Sequence, residues 1–183
     1  MKRWGSGDDG STGLFGHGRV PKDSLRTETY GAIDEATSCL GVAKCAGVAD
    51  RAREMVEQVQ RDLYVLMGEL ASTSEYRAKL PAVIDAEQCA RLDAFCAEIE
   101  QHLSLPNQFL LPGGCAASAQ LDLARATVRR AERACVRLFR EGGATASDSA
   151  LRYLNRLSTL LYLLARAEDA RAGVLPSLTK PAH

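Results

Sequence analysis

The residues best suited to chemistry fall into three groups. Near the start, Gly7, Gly10, Ser11 and Thr12 are followed by Lys22, which together offer N–H groups, hydroxyls and an ammonium. That inventory suits a polyphosphate, whose oxygens accept several charge-assisted hydrogen bonds at once. Asp8 and Asp9 in the same stretch serve either the loop itself or a divalent cation carried by phosphates. Farther on, Arg125, Arg129 and Glu132 stand at helical spacing, which puts them within about 60° of one another on the edge of an apolar stripe. An edge stripe faces either a cleft or solvent, where Arg and Glu simply pair. In the third group, Phe109 precedes the turn Pro112, Gly113, Gly114, and an aromatic there is either core or the wall of a ligand site.

Two further polar stripes accompany these. Gly31, Asp34, Ser38 and Gly41 share one helical face, and the glycines imply that another helix or a ligand approaches closely. Arg152, Asn155, Thr159, Tyr162 and Arg166 form a stripe beside a row of leucines, where Asn155 could equally be a bundle-specifying polar residue.

Other chemistries are excluded. The literal G-x-G-x-x-G from Gly5 to Gly10 has only four residues before it, too few for the strand a dinucleotide fold needs. No Gly-Lys-Ser/Thr follows to make a P-loop. Three histidines and no Glu-x-x-His pair argue against a protein-held metal, and no Ser-His-Asp or Cys-His site is supported. Lys plus Arg and Asp plus Glu both number 23, so no net field draws nucleic acid or an anionic membrane. No apolar run approaches the ~20 residues that span a bilayer, and the glycine-rich start lacks a signal peptide's apolar core, so a cytoplasmic protein is expected. The six cysteines form no C-x-x-C pair and are expected to be reduced packing residues.

The elements that position these residues are helices. Apolar positions recur at three- and four-residue spacing from about Ser24 to Ala46, then from a cap at Asp50 until Ser72 to Ser74. Asp85 and Gln88 resemble a capping box for a third helix that continues to Leu103. Leu121, Ala124, Val128, Ala131, Cys135 and Leu138 mark a fourth, ended by Gly142 and Gly143. Ser147 or Asp148 caps a fifth, lined by Leu151, Leu154, Leu157, Leu161 and Leu164. No strand pattern is visible, and the fold class expected is all-α, a five-helix antiparallel bundle. The 183 residues are read as one domain: a glycine-rich loop over 1–23, the bundle over 24–170 and a tail with Pro176 and Pro181 over 171–183.

Three segments taken together resemble the PduO-type ATP:corrinoid adenosyltransferases: GDDGSTGLFGHGRVPKDSLRTETYGAIDE, then FLLPGG with ARATVRRAER, then LNRLS. The resemblance runs from about Gly7 to Arg166. It implies a ferritin-like, cobalamin adenosyltransferase-like bundle assembled as a homotrimer, with active sites between subunits. The implied reaction transfers the 5′-deoxyadenosyl group of ATP to the Co(I) of cobalamin or another corrinoid and releases triphosphate. By resemblance, Ser6, Gly7, Thr12, Gly13, Lys22, Arg129, Arg130, Glu132, Arg133 and Asn155 bind ATP, with Mg2+ bridging phosphates. Asp34 matches an aspartate that pairs across the subunit interface with the arginine matched by Arg125. Phe109 matches an aromatic that displaces the lower axial base of cobalamin and so eases reduction of Co(II). A reductase and an adenosylcobalamin-dependent enzyme are the implied partners. The chain departs from the family's usual DELNS, LHxAR and NRLSD at Ala36, Thr37, Asp122 and Thr159, and near its start at Trp4 and Gly5. Asp122 lies where it could pair with Arg125 and compete with Asp34. Two rival readings are a non-catalytic carrier of ATP or cobalamin and a purely structural bundle.

Overall fold

The computed structural model describes residues 4–142 and 148–179, with the side chain of Asp148 left out. Its helices are α1 (Leu25–Cys45), α2 (Asp50–Leu70), α3 (Ser74–Arg77), α4 (Ala86–Glu100), α5 (Ala116–Arg140) and α6 (Asp148–Arg171). Two short strands precede them, β1 (Ser11–Gly13) and β2 (Arg19–Pro21), paired antiparallel with Thr12 opposite Val20. The expectation of five helices and no strand is thus corrected at two places. A single-turn helix interrupts the connection after α2, and the glycine-rich segment closes into a hairpin. Both are too short for sequence periodicity to reveal.

The five long helices follow from their apolar periods. Leu121, Ala124, Val128, Ala131, Cys135 and Leu138 of α5 are all buried, as are Met55, Val56, Val59, Leu63, Leu66 and Leu70 of α2. α5 lies between α1 and α6, α1 packs also on α2, and α6 packs also on α4. Ser24 caps α1 by accepting from Thr27 N, and Asp85 with Gln88 forms the capping box of α4. α4 ends at Glu100 rather than continuing to Leu103.

The start of α2 corrects another expectation. Its cap position is Ala49, without a side-chain cap, and Asp50 is already helical. The Ala49 N–H instead donates to Glu168 Oε1 at 2.8 Å, so the far end of α6 supplies the acceptor. α5 begins on Cys115, whose sulfur accepts from Ser118 N while the Ser118 hydroxyl accepts from Cys115 N. A thiol therefore does the work usually given to serine or aspartate. The proposed Ser147 cap of α6 lies outside the described residues, as do Gly143 and Pro181.

Buried charge ties α2, α4 and α6 together. Asp62 accepts from Arg91 at 2.8 Å on each oxygen, from the Tyr153 hydroxyl at 3.0 Å and from Gln58 at 3.1 Å. Burial is the main cause that pushes the Tyr153 phenol well above its ordinary range, with the Asp62 carboxylate adding to it. Arg51 of α2 reaches Glu98 of α4 through two hydrogen bonds of 2.8 Å. No helix among the described residues is long and apolar enough to cross a membrane.

Candidate functional site

The glycine-rich hairpin is held to the bundle on two sides, at the start of α1, where Thr27 Oγ1 donates to Pro21 O at 3.1 Å, and at the end of α2. Phe15 N donates to Ala71 O at 2.8 Å and Thr73 N donates to Phe15 O at 3.0 Å, which docks the loop on the end of α2. The Phe15 ring stacks on Tyr76 with centroids 6.0 Å apart. Gly16 allows that contact, since its φ is +102° and a Cβ there would stand 2.6 Å from Thr73 Oγ1.

Inside the loop, Lys22 lies over Gly7. A Cβ at Gly7 would meet Lys22 Nζ at 3.0 Å and Ser11 O at 3.1 Å, so a side chain at that position would push the ammonium away. Lys22 N donates to Gly10 O at 2.9 Å, which fixes the backbone that aims the side chain. Ser6, Gly7, Thr12, Gly13 and Lys22 therefore share one compact loop and hairpin. The organising residue is Arg19, which sequence reasoning missed. Its Nε donates to Ser11 Oγ at 2.6 Å, and its Nη2 donates to Ser6 O and, at 3.1 Å, to Ser11 O. The backbone and hydroxyl of Ser11 hold the Asp9 carboxyl below its ordinary range, with a smaller contribution from Arg19. The opposition of Arg19 to Gly13 across a hairpin would have pointed to it, but the strands themselves were not legible.

At the other end of α5 a cavity of about 600 Å³ is lined by Phe109, Asp122, Arg125, Tyr162 and Arg166 together with the Leu105–Pro112 loop. Phe109 is 85% exposed, an unusual state for a phenyl ring, and it stands on a backbone that is held firmly. Thr179 N donates to Phe109 O at 3.0 Å and Leu111 N donates to Ser177 O at 2.8 Å, so the tail after α6 clasps the loop. Below it, Asp122 accepts from Arg125 Nε at 3.1 Å through Oδ1 and from Arg166 Nη2 through Oδ2. By its spacing Arg166 belongs to the polar stripe beside the leucines of α6. Arg152, Asn155 and Thr159 of that stripe are exposed, but Arg166 turns inward and is only 4% exposed. Its guanidinium packs 5.6 Å from the centre of the Tyr162 ring.

Asp34 lies elsewhere. With Thr37, Ser38, Gly41, Lys44, Glu57, Gln60, Arg61 and Tyr64 it lines a groove of about 550 Å³ between α1 and α2. Among the described residues nothing approaches Gly31, and Gly41 meets only Gln60 Nε2 at 3.7 Å, so they do not supply the expected close neighbour. Arg125 faces α6 and Asp34 faces α2, on opposite sides of the α1–α5 seam, and one chain does not bring the two together. Arg129 and Arg133 are exposed, without an ion-pair partner among the described residues, and Glu132 is half-buried. Arg130 pairs with Glu35 of α1. The antiparallel register that joins Asp122 to Arg166 puts Asn155 about level with Arg133, on the same rim. Arg129, Arg133 and Asn155, two of them cationic, thus stand exposed on one outer face of the α5–α6 pair, while Arg130 is turned toward α1.

The fold and these two regions define a helical bundle with a cation-bearing glycine hairpin at one end and an aromatic-rimmed, charged cavity between helix and tail. A profile of the cobalamin adenosyltransferase family matches residues 4–168, and the chain belongs to that family. It is 38% identical over 167 residues to the corrinoid adenosyltransferase PduO of Salmonella typhimurium, a match covering 91% of this chain and 49% of that protein. A corrinoid adenosyltransferase of Bacillus subtilis is 38% identical over 177 residues, with 92% and 86% covered. The chain therefore spans about half the length of the Salmonella protein and most of the Bacillus one. Among solved structures, a variant PduO-type ATP:corrinoid adenosyltransferase of Lactobacillus reuteri complexed with cobalamin and ATP superposes with a TM-score of 0.90 at 25% identity, covering 98% of this chain and 99% of that one. Another variant of that enzyme, complexed with ATP, gives 0.86 at 25% identity, covering 98% and 100%.

Proposed function

We propose that this chain transfers the 5′-deoxyadenosyl group of ATP to the Co(I) of cobalamin or a related corrinoid. The Co(I) electron pair attacks C5′, a cobalt–carbon bond forms, the C5′–O bond breaks and its electrons leave with triphosphate. The observation that carries the reading is Phe109: a ring 85% exposed on a clasped backbone, beside a cavity floored by Arg125, Asp122 and Arg166. A phenyl group held out in this way presents an apolar face to a large planar ligand at little entropic cost.

Co(I) is already a strong nucleophile, so the residues have no proton to move at C5′. Their task is to orient the nucleotide, neutralise the leaving group and exclude water. Lys22, with the N–H groups and hydroxyls of Ser6, Gly7, Thr12 and Gly13, suits the phosphates, and magnesium enters with the nucleotide as part of the substrate. Arg129, Arg130 and Arg133 supply further cations, with Glu132 and Asn155 as polar contacts on that rim. Phe109 crowds the lower face of the corrin and removes its axial base, which makes Co(II) easier to reduce.

The reading needs more than one copy of the chain. The hairpin and the Phe109 cavity lie apart, and Asp34 and Arg125 face different helices, which a homotrimer with sites at its interfaces reconciles. There Asp34 of one subunit pairs with Arg125 of the next. Residues 1–183 act as one domain, in the cytoplasm, where ATP is available and six free thiols stay reduced. A reductase supplies Co(I), and an adenosylcobalamin-dependent enzyme takes the product.

The test is anaerobic mixing of the protein with ATP, magnesium and chemically reduced cob(I)alamin, with assay of adenosylcobalamin and triphosphate. Protein-dependent formation of both in equal amounts is expected. Tight binding of ATP or cobalamin without product would replace the enzyme by a carrier.

A further inference from the structure

We propose that Asp122 is a positioning residue that sets two sides of the corrinoid cavity at once, aiming the Arg125 guanidinium and, through Arg166, fixing the loop that carries Phe109. The inference rests on the adenosyltransferase reading and adds a residue that departs from the family's usual pattern.

The two carboxylate oxygens have separate duties. Oδ1 takes the Nε edge of Arg125 at 3.1 Å, while Oδ2 takes Nη2 of Arg166. A guanidinium bound through Nε keeps both terminal nitrogens available, and those of Arg125 have no partner among the described residues. Asp122 therefore does not compete with Asp34. It fixes the plane of the fork and leaves the outer edge of Arg125 for a second carboxylate.

Arg166 carries the effect to the loop. Its Nη1 donates to Leu111 O at 3.4 Å, two residues from Phe109. Its other carboxylate contact, Asp169 Oδ2, is longer at 3.3 Å, and both Arg166 Nε and Asp169 Oδ1 lack hydrogen-bond partners among the described residues. Asp122 is thus the stronger of the two anions that hold this buried cation. Gly114 at the far end of the loop rests on the same group, since a Cβ there would stand 2.4 Å from Asp169 Oδ1. The tail holds the loop backbone independently, so weakening Asp122 shifts the loop without releasing it.

Asp122→Asn keeps the shape and one acceptor but removes the charge. With ATP present, its Kd for cob(II)alamin is expected to rise about tenfold, the scale of one charge-assisted hydrogen bond. The four-coordinate share of bound Co(II), read by electron paramagnetic resonance, falls with it, and the Kd for ATP stays within about twofold. In an Arg125→Ala background the same substitution should have much less effect on cob(II)alamin affinity. Equal losses in both backgrounds, or a parallel loss of ATP affinity, would show a merely structural residue and overturn the proposal. If Asp122→Asn does not fold, Arg166→Lys decides: a reduced four-coordinate share with ATP binding intact supports it, and an unchanged share overturns it. A natural-sequence protein that binds cob(II)alamin but makes no adenosylcobalamin defeats the adenosyltransferase reading alone, because the binding cycle still decides the role of Asp122. A protein that binds no cobalamin at all defeats both.

Discussion

Replacing Arg19 by alanine tests whether the hairpin is the nucleotide loop, because the structure gives this one side chain the task of ordering it. Strands of three residues with no apolar face do not hold together unaided. Arg19 supplies hydrogen bonds to Ser11 Oγ, Ser11 O and Ser6 O, and its side chain is 44% exposed. At the low end appropriate to solvent-screened contacts, about 0.5 kcal/mol each, the three together are worth about 1.5 kcal/mol. That is about a tenfold change in the ratio of ordered to disordered loop, and with a free loop that is mostly disordered the apparent affinity for a ligand of the ordered form falls by the same factor. The expected result is an ATP KM raised about tenfold, with kcat at saturating ATP within about twofold, since bound nucleotide restores the order. Faster amide exchange at Ser11 to Gly13 in the free variant, suppressed by ATP, would accompany it. An unchanged ATP KM, or a loss confined to kcat, would refute the reasoning.

Arg129→Ala should also raise the ATP KM, by removal of an exposed cation, but without altering exchange in the hairpin. Phe109→Ala should impair turnover from Co(II) with a reductant far more than turnover from preformed Co(I). With the ring 85% exposed, the midpoint of thermal unfolding should move by no more than about 1 °C, measured by calorimetry. Tyr153→Phe removes one donor from the buried Asp62 carboxylate and should cost about 1–3 kcal/mol in urea unfolding, with ATP and cobalamin KM unchanged. Burial pushes the Cys135 thiol up to about 12, whereas Cys45 is exposed. Alkylation at about pH 8 should therefore modify Cys45 in the native protein and Cys135 only after unfolding, as peptide mass mapping would read.

What the sequence disclosed, and what it concealed, divides by range. The long helices were legible because burial repeats with the helical period, and the stripe from Leu121 to Leu138 is buried without exception. The cap of α4 was legible because Asp85 and Gln88 satisfy each other locally. The start of α2 was not, since its acceptor, Glu168, comes from the last turns of α6. Cys115 as a cap breaks the usual preference, and no composition rule selects it. The hairpin was hidden because its strands are short and its stabilising group, Arg19, bonds to backbone oxygens eight and thirteen residues away. For the site, residue types suggested anion binding at the loop and an edge stripe on α5. The inward turn of Arg166 and the fork of Asp122 depend on how α5, α6 and the tail meet, which no single-helix pattern encodes.

The Asp62 cluster bears on how the bundle finds one alignment among several. α4 buries only Cys89 and Leu92 fully, with Phe95, Cys96 and Ile99 half-buried at helical spacing, a seam that a slip of one turn along α2 and α6 would re-form in part. Such a slip would carry Arg91 about 5.4 Å along the axis and strand the Asp62 carboxylate in the core without its cation. Arg51 and Glu98 would separate in the same movement. Charge thus gives α4 an address that its oily residues do not, and sequence drift along this helix should be freer at its apolar positions than at Arg91.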